Sequence, residues 1–244
     1  MLRINLVRAV RQRLALLLTV GFVSLLCCIG GAFASFVVAP QQRIDASRTA
    51  RMSTLSYEAF QAAPAGERLI VMGALADNPP ISDEGEFVAY QMERWTTTLI
   101  QDEEQGDFYT GKWDTENRVT EIPVLNVSIE GGTVATLPTE SLRLTGALHE
   151  EIFESDSAEV DLTNKRPDDS RRYEGLRNGD TVTILGAKGS GGALIPEALY
   201  AGDRVAFDQS NVNQASSLFQ MGICMMGLAP LLLLAGLLFA LFKR

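Results

Sequence analysis

The residues able to do chemistry in this chain are many in kind and poorly organised in spacing. His149 is the single histidine, set in His149-Glu150-Glu151 beside carboxylates that help hold it in water. A serine–histidine system needs this residue, yet no Gly-x-Ser-x-Gly elbow accompanies it, so it reads as a surface histidine. Thirty Asp and Glu give many carboxylate pairs of the kind glycosidases use, and so many that pairs arise by chance. Asp83-Glu84 and Asp102-Glu103-Glu104 lack the spaced pattern of a calcium loop and read as solvated acidic surface. Gly186-Ala-Lys-Gly189-Ser-Gly191-Gly192 invites a phosphate-loop reading but lacks the Gly-Lys-Ser/Thr ending and a following helix, which leaves a flexible hairpin. Asn126-Val-Ser128 matches a glycosylation sequon inside an expected strand and is discounted. No cofactor and no metal ligand set emerges. Tyr90, Trp95 and Trp113 remain as a candidate aromatic binding surface, with core or lining positions as the competing reading.

The elements that must position these residues divide the chain sharply. Leu14 to Val38 and Ser217 to Phe242 carry no Asp, Glu, Lys or Arg. At 1.5 Å per helical residue, about 20 residues cross a hydrocarbon core of about 30 Å. Two transmembrane helices are therefore expected at 14–38 and 217–242. They are flanked by basic tails at 1–13 and 243–244, followed by a stalk at 39–66 and a β-rich domain at 67–210. Ala32-Phe33-Ala34 also fits a signal-peptide cleavage site, which competes with a retained signal anchor. Either reading leaves the domain on the same side.

Charge follows the same partition. All 30 acids lie between Asp45 and Asp208; four of the 21 basic residues precede the first span and two follow the second, leaving 15 between. The middle thus carries a formal charge of −15. So acidic a domain disfavours nucleic acid and anionic lipid as partners. The basic flanks place both termini in the cytoplasm of a plasma or inner membrane, with the domain extracytoplasmic. Cys27, Cys28 and Cys224 all fall in the spans, so the domain has no thiol for a disulfide or a metal. Gly30 and Ala34 form a small-xxx-small face for helix packing or homo-oligomerisation.

Within the domain the texture is β. Strands are expected at Arg68–Gly73, Phe87–Leu99, Phe108–Trp113, Glu121–Ile129 and Thr133–Leu137, with a hairpin turn at Glu130-Gly131-Gly132. Thr181–Gly186 should pair with Ala193–Ile195, and Arg204–Asp208 closes the set. Leu55, Ala59 and Ala62 suggest a short helix that Pro64-Ala65-Gly66 breaks. Ser155–Arg172 lacks periodicity and reads as a long exposed loop or a disordered insert. The expected fold is a membrane-anchored all-β domain, a small β-barrel or OB-like domain, flanked by N- and C-terminal transmembrane helices.

The order of these features resembles the membrane-flanked GIDE or BAM ("beside a membrane") domain. The resemblance rests on the strand ending at Gly73, Pro79-Pro80, Phe87-Val-Ala-Tyr90 with Glu93, and Trp113. It continues through Ile122-Pro-Val-Leu125, Gly131-Gly132 and the block from Arg172-Tyr-Glu174 to Gly179-Asp180 and Gly186, with Leu176 displaced by one position. A weaker similarity links it to the family of the nuclear-envelope protein LUMA. The resemblance implies a barrel-like sensing or binding domain against the bilayer, as in mitochondrial ubiquitin ligases. Those ligases carry a cysteine-rich RING after the second span; no cysteine or histidine follows Phe242 here, so zinc and ubiquitin transfer are not implied. Asp180 reads as a turn residue. The functional expectation is a non-enzymatic protein binding a partner, by default a protein, at the membrane. The competing expectations are a tethered hydrolase using a carboxylate pair and an oligomeric pore or assembly component.

Overall fold

The computed structural model describes residues 2–242 apart from 83–84, 102–105 and 162. The acidic runs Asp83-Glu84 and Asp102-Glu103-Glu104 lie outside the described residues. The chain forms two units, one from residues 1–51 and 208–244, the other from residues 52–207.

The first unit is helical. Helix α1 (Leu2–Phe33) passes through a π-helical turn (Ala34–Val38) into α2 (Ala39–Ala50), and the C-terminal helix, α4, runs Arg204–Phe242 with Pro230 inside it. Both helical stretches are long and apolar enough to cross a membrane; among the described side chains the first exposes Leu18, Phe22, Leu26 and Phe33, and α4 exposes Leu228 and the leucines from 231 to 238. The helices meet antiparallel, with Val20 near Gly236, Gly31 on Gly222, and the Ser35 hydroxyl donating to the Phe219 carbonyl at 3.3 Å. A Cβ at Gly31 would meet the Gly222 carbonyl oxygen, so only glycine permits this approach. The close-packing face is thus Gly31 with Ser35; at the expected Gly30, a Cβ would find nothing closer than the Met225 methyl at 3.8 Å.

The second unit is sheet-rich. A six-stranded sheet has the order β5-β4-β1-β11-β12-β6, with β1 Arg68–Leu75, β4 Asn126–Ile129, β5 Gly132–Ala135, β6 Leu144–Gly146, β11 Thr181–Lys188 and β12 Leu194–Ala201. A four-stranded antiparallel sheet has the order β3-β2-β10-β7, with β2 Ala89–Ile100, β3 Phe108–Glu121, β7 His149–Phe153 and β10 Arg171–Leu176. A two-stranded ribbon joins β8 (Val160–Asp161) to β9 (Arg166–Pro167). A short helix, α3 (Tyr57–Ala62), starts at Ser56, whose side chain accepts from the Ala59 amide, and buries Phe60.

Among the described residues the strand pairing closes no barrel, where the sequence expectation was a small barrel or OB-like domain; Thr136, just after β5, is linked across the six-stranded sheet to Leu194 at the start of β12 only by an isolated bridge. The pairing of β12 with β6 is parallel, which makes the first sheet mixed. Its central strands are buried on both faces. Leu69 and Val71 join the main core with Phe60, Leu125, Val127, Leu176, Val182 and Ile184, whereas Ile70 and Leu185 pack with Phe207 on the other side. That two-sided burial explains the continuous apolar runs Leu69-Ile70-Val71 and Ile184-Leu185 in place of strict alternation.

Three other expectations change. Arg204–Asp208 is the first turn of α4, capped by Asp203, whose carboxylate accepts from the Ala206 amide at 2.8 Å. The stretch 39–50 continues the first helix, and Leu55 lies outside α3 in an extended segment bridged to Ile70. Ser155–Arg172 is not a loose loop: it holds β8 and β9, and Asp161 and Ser170 within it are buried.

Candidate functional site: a charged face on the four-stranded sheet

The site is built on a distortion of β3. Arg94 stands opposite Asp114, but Met92 stands opposite Val119, so residues 115–118 face Glu93 alone. A bulge of this size must satisfy its own backbone. Asp114 does so: one carboxylate oxygen accepts the Glu116 and Asn117 amides at 3.1 Å and the other the Asn117 side chain at 2.6 Å. The Asn117 side chain and amide, against a minor opposing effect of burial, hold the Asp114 carboxyl below its ordinary range.

Glu93 is the centre of the face. Its side chain is 2% exposed and receives Arg118 through Nε at 2.7 Å and through Nη2, and Arg172 through Nη2. Burial alone would raise its pKa; the guanidiniums of Arg172 and Arg118 more than offset that and hold the carboxyl below the ordinary range. Two cations on one anion leave a local positive excess. Gln91 extends the row: its Nε2 donates to Glu174 at 2.7 Å and its Oε1 accepts from Arg118 Nη1 at 3.4 Å.

Trp95 and Trp113 are directly opposed across β2 and β3, with ring centroids 5.2 Å apart and planes at 79°. Edge-to-face pairs of this kind contribute about 0.5–1.5 kcal/mol beyond their buried area. Trp95 is buried and Trp113 half-buried. Arg166 lies 4.7 Å from the Trp113 centroid and 5.4 Å from that of Trp95, and Arg172 lies 4.8 Å from Trp113. Guanidiniums over indole faces are attracted by the ring quadrupole. Gly111 is required here, since a Cβ at that position would enter the Trp95 indole. Asp161, fully buried, accepts the Gly111 amide at 2.9 Å, the Thr163 amide at 2.7 Å and the Asn164 side chain at 2.9 Å. Desolvation opposes its ionisation, but Asn164 and the backbone amides hold its pKa down. The 155–170 segment is further fixed by Asp168, which accepts the Thr97 amide at 2.7 Å, and by backbone pairing of Trp95 with Asp169 and Ser170.

Tyr90, the third aromatic singled out by sequence, belongs to a different cluster. Its ring packs edge-on against Tyr173 at 5.2 Å among Phe87, Met92 and Phe153, and its hydroxyl donates to Glu121 at 2.8 Å. His149 pairs with Asp180 at 2.9 Å through Nε2, and Asp180 also accepts the Arg177 amide at 2.7 Å in the turn before β11. Sequence reading missed the arginines and Asp161. The available signal was Glu93 itself, a charge within the strand Tyr90–Trp95 that demands an opposite partner if buried.

Beside the Glu93 row opens a polar cavity of about 560 Å³, floored by Gln91, Arg118 and Thr120 and walled by Thr115, Glu116 and residues 140–143. A smaller hollow of about 220 Å³ continues from it, sharing Thr120, Glu140 and Leu142 and adding Ile122 and Pro138. Among the described residues, no group of three or more His, Cys, Asp or Glu could hold a metal ion. Fold and site together define a sheet-rich domain between two apolar helices, carrying a hydrogen-bonded charged face with an open polar cavity. No family model, curated protein or solved structure matches the chain.

Proposed function

We propose that this protein is a non-enzymatic, membrane-anchored binding protein whose extracytoplasmic sheet domain takes a partner at its charged face, in the manner of a GIDE or BAM domain. The observation that carries the reading is the pairing of a rigid floor with an open cavity. Glu93 locks Arg118 in place under a hollow of about 560 Å³, within the size range of ligand sites. Preformed, immobilised polar groups lower the ordering cost of association.

The rival reading, a tethered hydrolase, calls for a carboxyl held protonated near neutrality to act as general acid. Among the described residues, the three carboxyls displaced from their ordinary range, Glu93, Asp114 and Asp161, are all displaced downward, toward ionisation. Each already has a structural task in a bulge, an arginine pair or a loop anchor. Binding is therefore the better-supported use of this face.

Crosslinking in native membranes, followed by purification of the intact chain and identification of what travels with it, tests the reading. A partner captured by wild type and lost on charge reversal at the cavity rim supports it. Protease added outside spheroplasts that leaves the domain intact refutes the extracytoplasmic placement.

A further inference from the structure

The cavity beside Glu93 has an unusual distribution of charge. One wall is β3, which contributes Glu116 and Arg118; the other is the turn after β5, which contributes Glu140 and Arg143. Each wall thus offers one anion and one cation, and the lining sums to zero formal charge within a domain of −15. The turn is held by its own bonds: the Leu142 amide donates to the Thr139 carbonyl at 3.0 Å, and the Thr139 and Ser141 hydroxyls lie 3.4 Å apart. Leu142 is buried and anchors the turn to the core, while Glu140 and Arg143 stay exposed. Among the described residues, neither Glu140 nor Arg143 has a hydrogen-bond or ion-pair partner.

Such a cavity selects by charge separation. A simple anion would meet two glutamates, and a simple cation would meet two arginines. A molecule with both signs at its two ends satisfies both walls at once. The cavity lacks an aromatic platform on which a sugar ring would stack, and the adjoining hollow with Ile122, Pro138 and Leu142 offers a small apolar recess. Its volume exceeds that of a single amino acid and suits two or three residues.

We infer that this cavity binds a short zwitterionic peptide, its free carboxylate at the arginines, its free amine at the glutamates, and one apolar side chain in the Ile122–Pro138 hollow. This rests on the binding reading given above and names the ligand class for the same face. Arg118 is a fixed donor because Glu93 holds its Nε and Nη2, leaving Nη1 with only the 3.4 Å contact to Gln91. Arg143, exposed on the other wall, meets the carboxylate from the opposite side. The pairs are charge-assisted, but Glu116, Glu140 and Arg143 stand exposed, so each contributes on the scale of a surface pair.

The test uses the full chain in lipid nanodiscs and isothermal titration calorimetry with the tripeptide Ala-Leu-Ala, its N-acetyl form and its C-amide. The uncapped peptide is expected to bind, and either cap to weaken it about 3- to 10-fold. Arg143→Gln should weaken the uncapped peptide by a similar factor but leave the C-amide unchanged. Glu140→Gln should do the same with respect to the N-acetyl form. Both side chains are exposed and unpartnered, so unchanged tryptophan emission will verify that the fold survives. No binding of the uncapped peptide at millimolar concentration, or equal affinity for capped and uncapped forms, overturns the inference. Chromatography of the recovered peptide separates the two claims. Cleaved peptide supports the ligand class but refutes the non-enzymatic reading, whereas intact peptide with the expected cap dependence supports both.

Discussion

Replacing Glu93 with glutamine tests the electrostatic account of the charged face. The wild-type carboxylate, 2% exposed, takes Arg118 through two nitrogens and Arg172 through one. Glutamine keeps the shape, loses the charge and turns an amide donor toward a guanidinium. Each hydrogen bond to a charged group contributes about 1.5–3 kcal/mol, and removing one partner of a buried ion pair costs about 3–5 kcal/mol. The arginine side chains are 31% and 23% exposed, so water partly compensates them. The loss should therefore fall at the lower end, about 3 kcal/mol. With a urea dependence of about 2 kcal/mol per molar, the midpoint drops by about 1.5 M. The assay is urea unfolding of the full chain in micelles followed by tryptophan emission. The chain has two tryptophans, and both stand on this face, so the signal reports its unfolding directly. The pH dependence adds a second check. The folded pKa of Glu93 lies below its ordinary value of 4.5, so its contribution is complete above 4.5 and is lost as pH falls through the folded value. Glutamine has no such proton to take up, so the gap between the two proteins must narrow below about pH 4.5. A gap under about 1 kcal/mol at pH 7, or one constant down to the lowest pH at which wild type stays folded, would refute the reasoning.

Other perturbations test the supports of the same face and of the helical unit. Gly111→Ala drives a methyl into the Trp95 indole and should cost about 1–3 kcal/mol with an altered emission spectrum, measured in the same urea titration. Asp161→Ala leaves the Gly111 and Thr163 amides without their acceptor; hydrogen exchange should rise at both, with stability down by about 2–3 kcal/mol. Gly222→Leu prevents the close approach to Gly31. Spin labels on the exposed Leu26 and Leu231 should then report a longer interhelix distance, and an unchanged one would exclude the crossing described here.

Much of the fold was legible because its causes are local. Two charge-free stretches announce the apolar helices, and Glu130-Gly131-Gly132 announces the β4–β5 hairpin, where Gly131 takes a φ of +89°. β1, β2 and β11 follow from apolar and β-branched runs. What escaped depends on pairing between distant segments. β3 continues past Trp113 to Glu121 through Asp-Thr-Glu-Asn-Arg, a stretch with no strand pattern, because Asp114 and Asn117 satisfy the backbone inside the bulge. The 155–170 segment has no periodicity because its side chains anchor backbone amides instead of filling a core. Arg204–Asp208 looks strand-like in isolation, but Asp203 caps a helix there. A closed barrel also needs distant strands such as β5 and β12 to pair along their length, where a single bridge from Thr136 to Leu194 forms, and no local pattern encodes whether that happens.

The candidate site shows the same division more sharply. Trp95 and Trp113 were visible as aromatics at strand positions, yet what they do depends on Arg166 and Arg172, 71 and 77 residues further along from Trp95. Tyr90 is five residues from Trp95, an odd spacing that puts the two on opposite faces of β2, and it lies in a different cluster with Met92 and Tyr173. Spacing along a strand predicts a shared face only while the register is regular. The irregularity is what gives the cavity its character. With regular pairing, one residue would stand opposite Glu93; here four do, and the bulge brings Glu116 and Arg118 to the cavity wall. Restoring regular pairing by deleting three residues of the bulge should therefore abolish the cavity while leaving the tryptophan pair in place. A site that depends on a bulge in one strand and a charge in its neighbour is encoded by a pair of segments, and neither segment alone carries its signature.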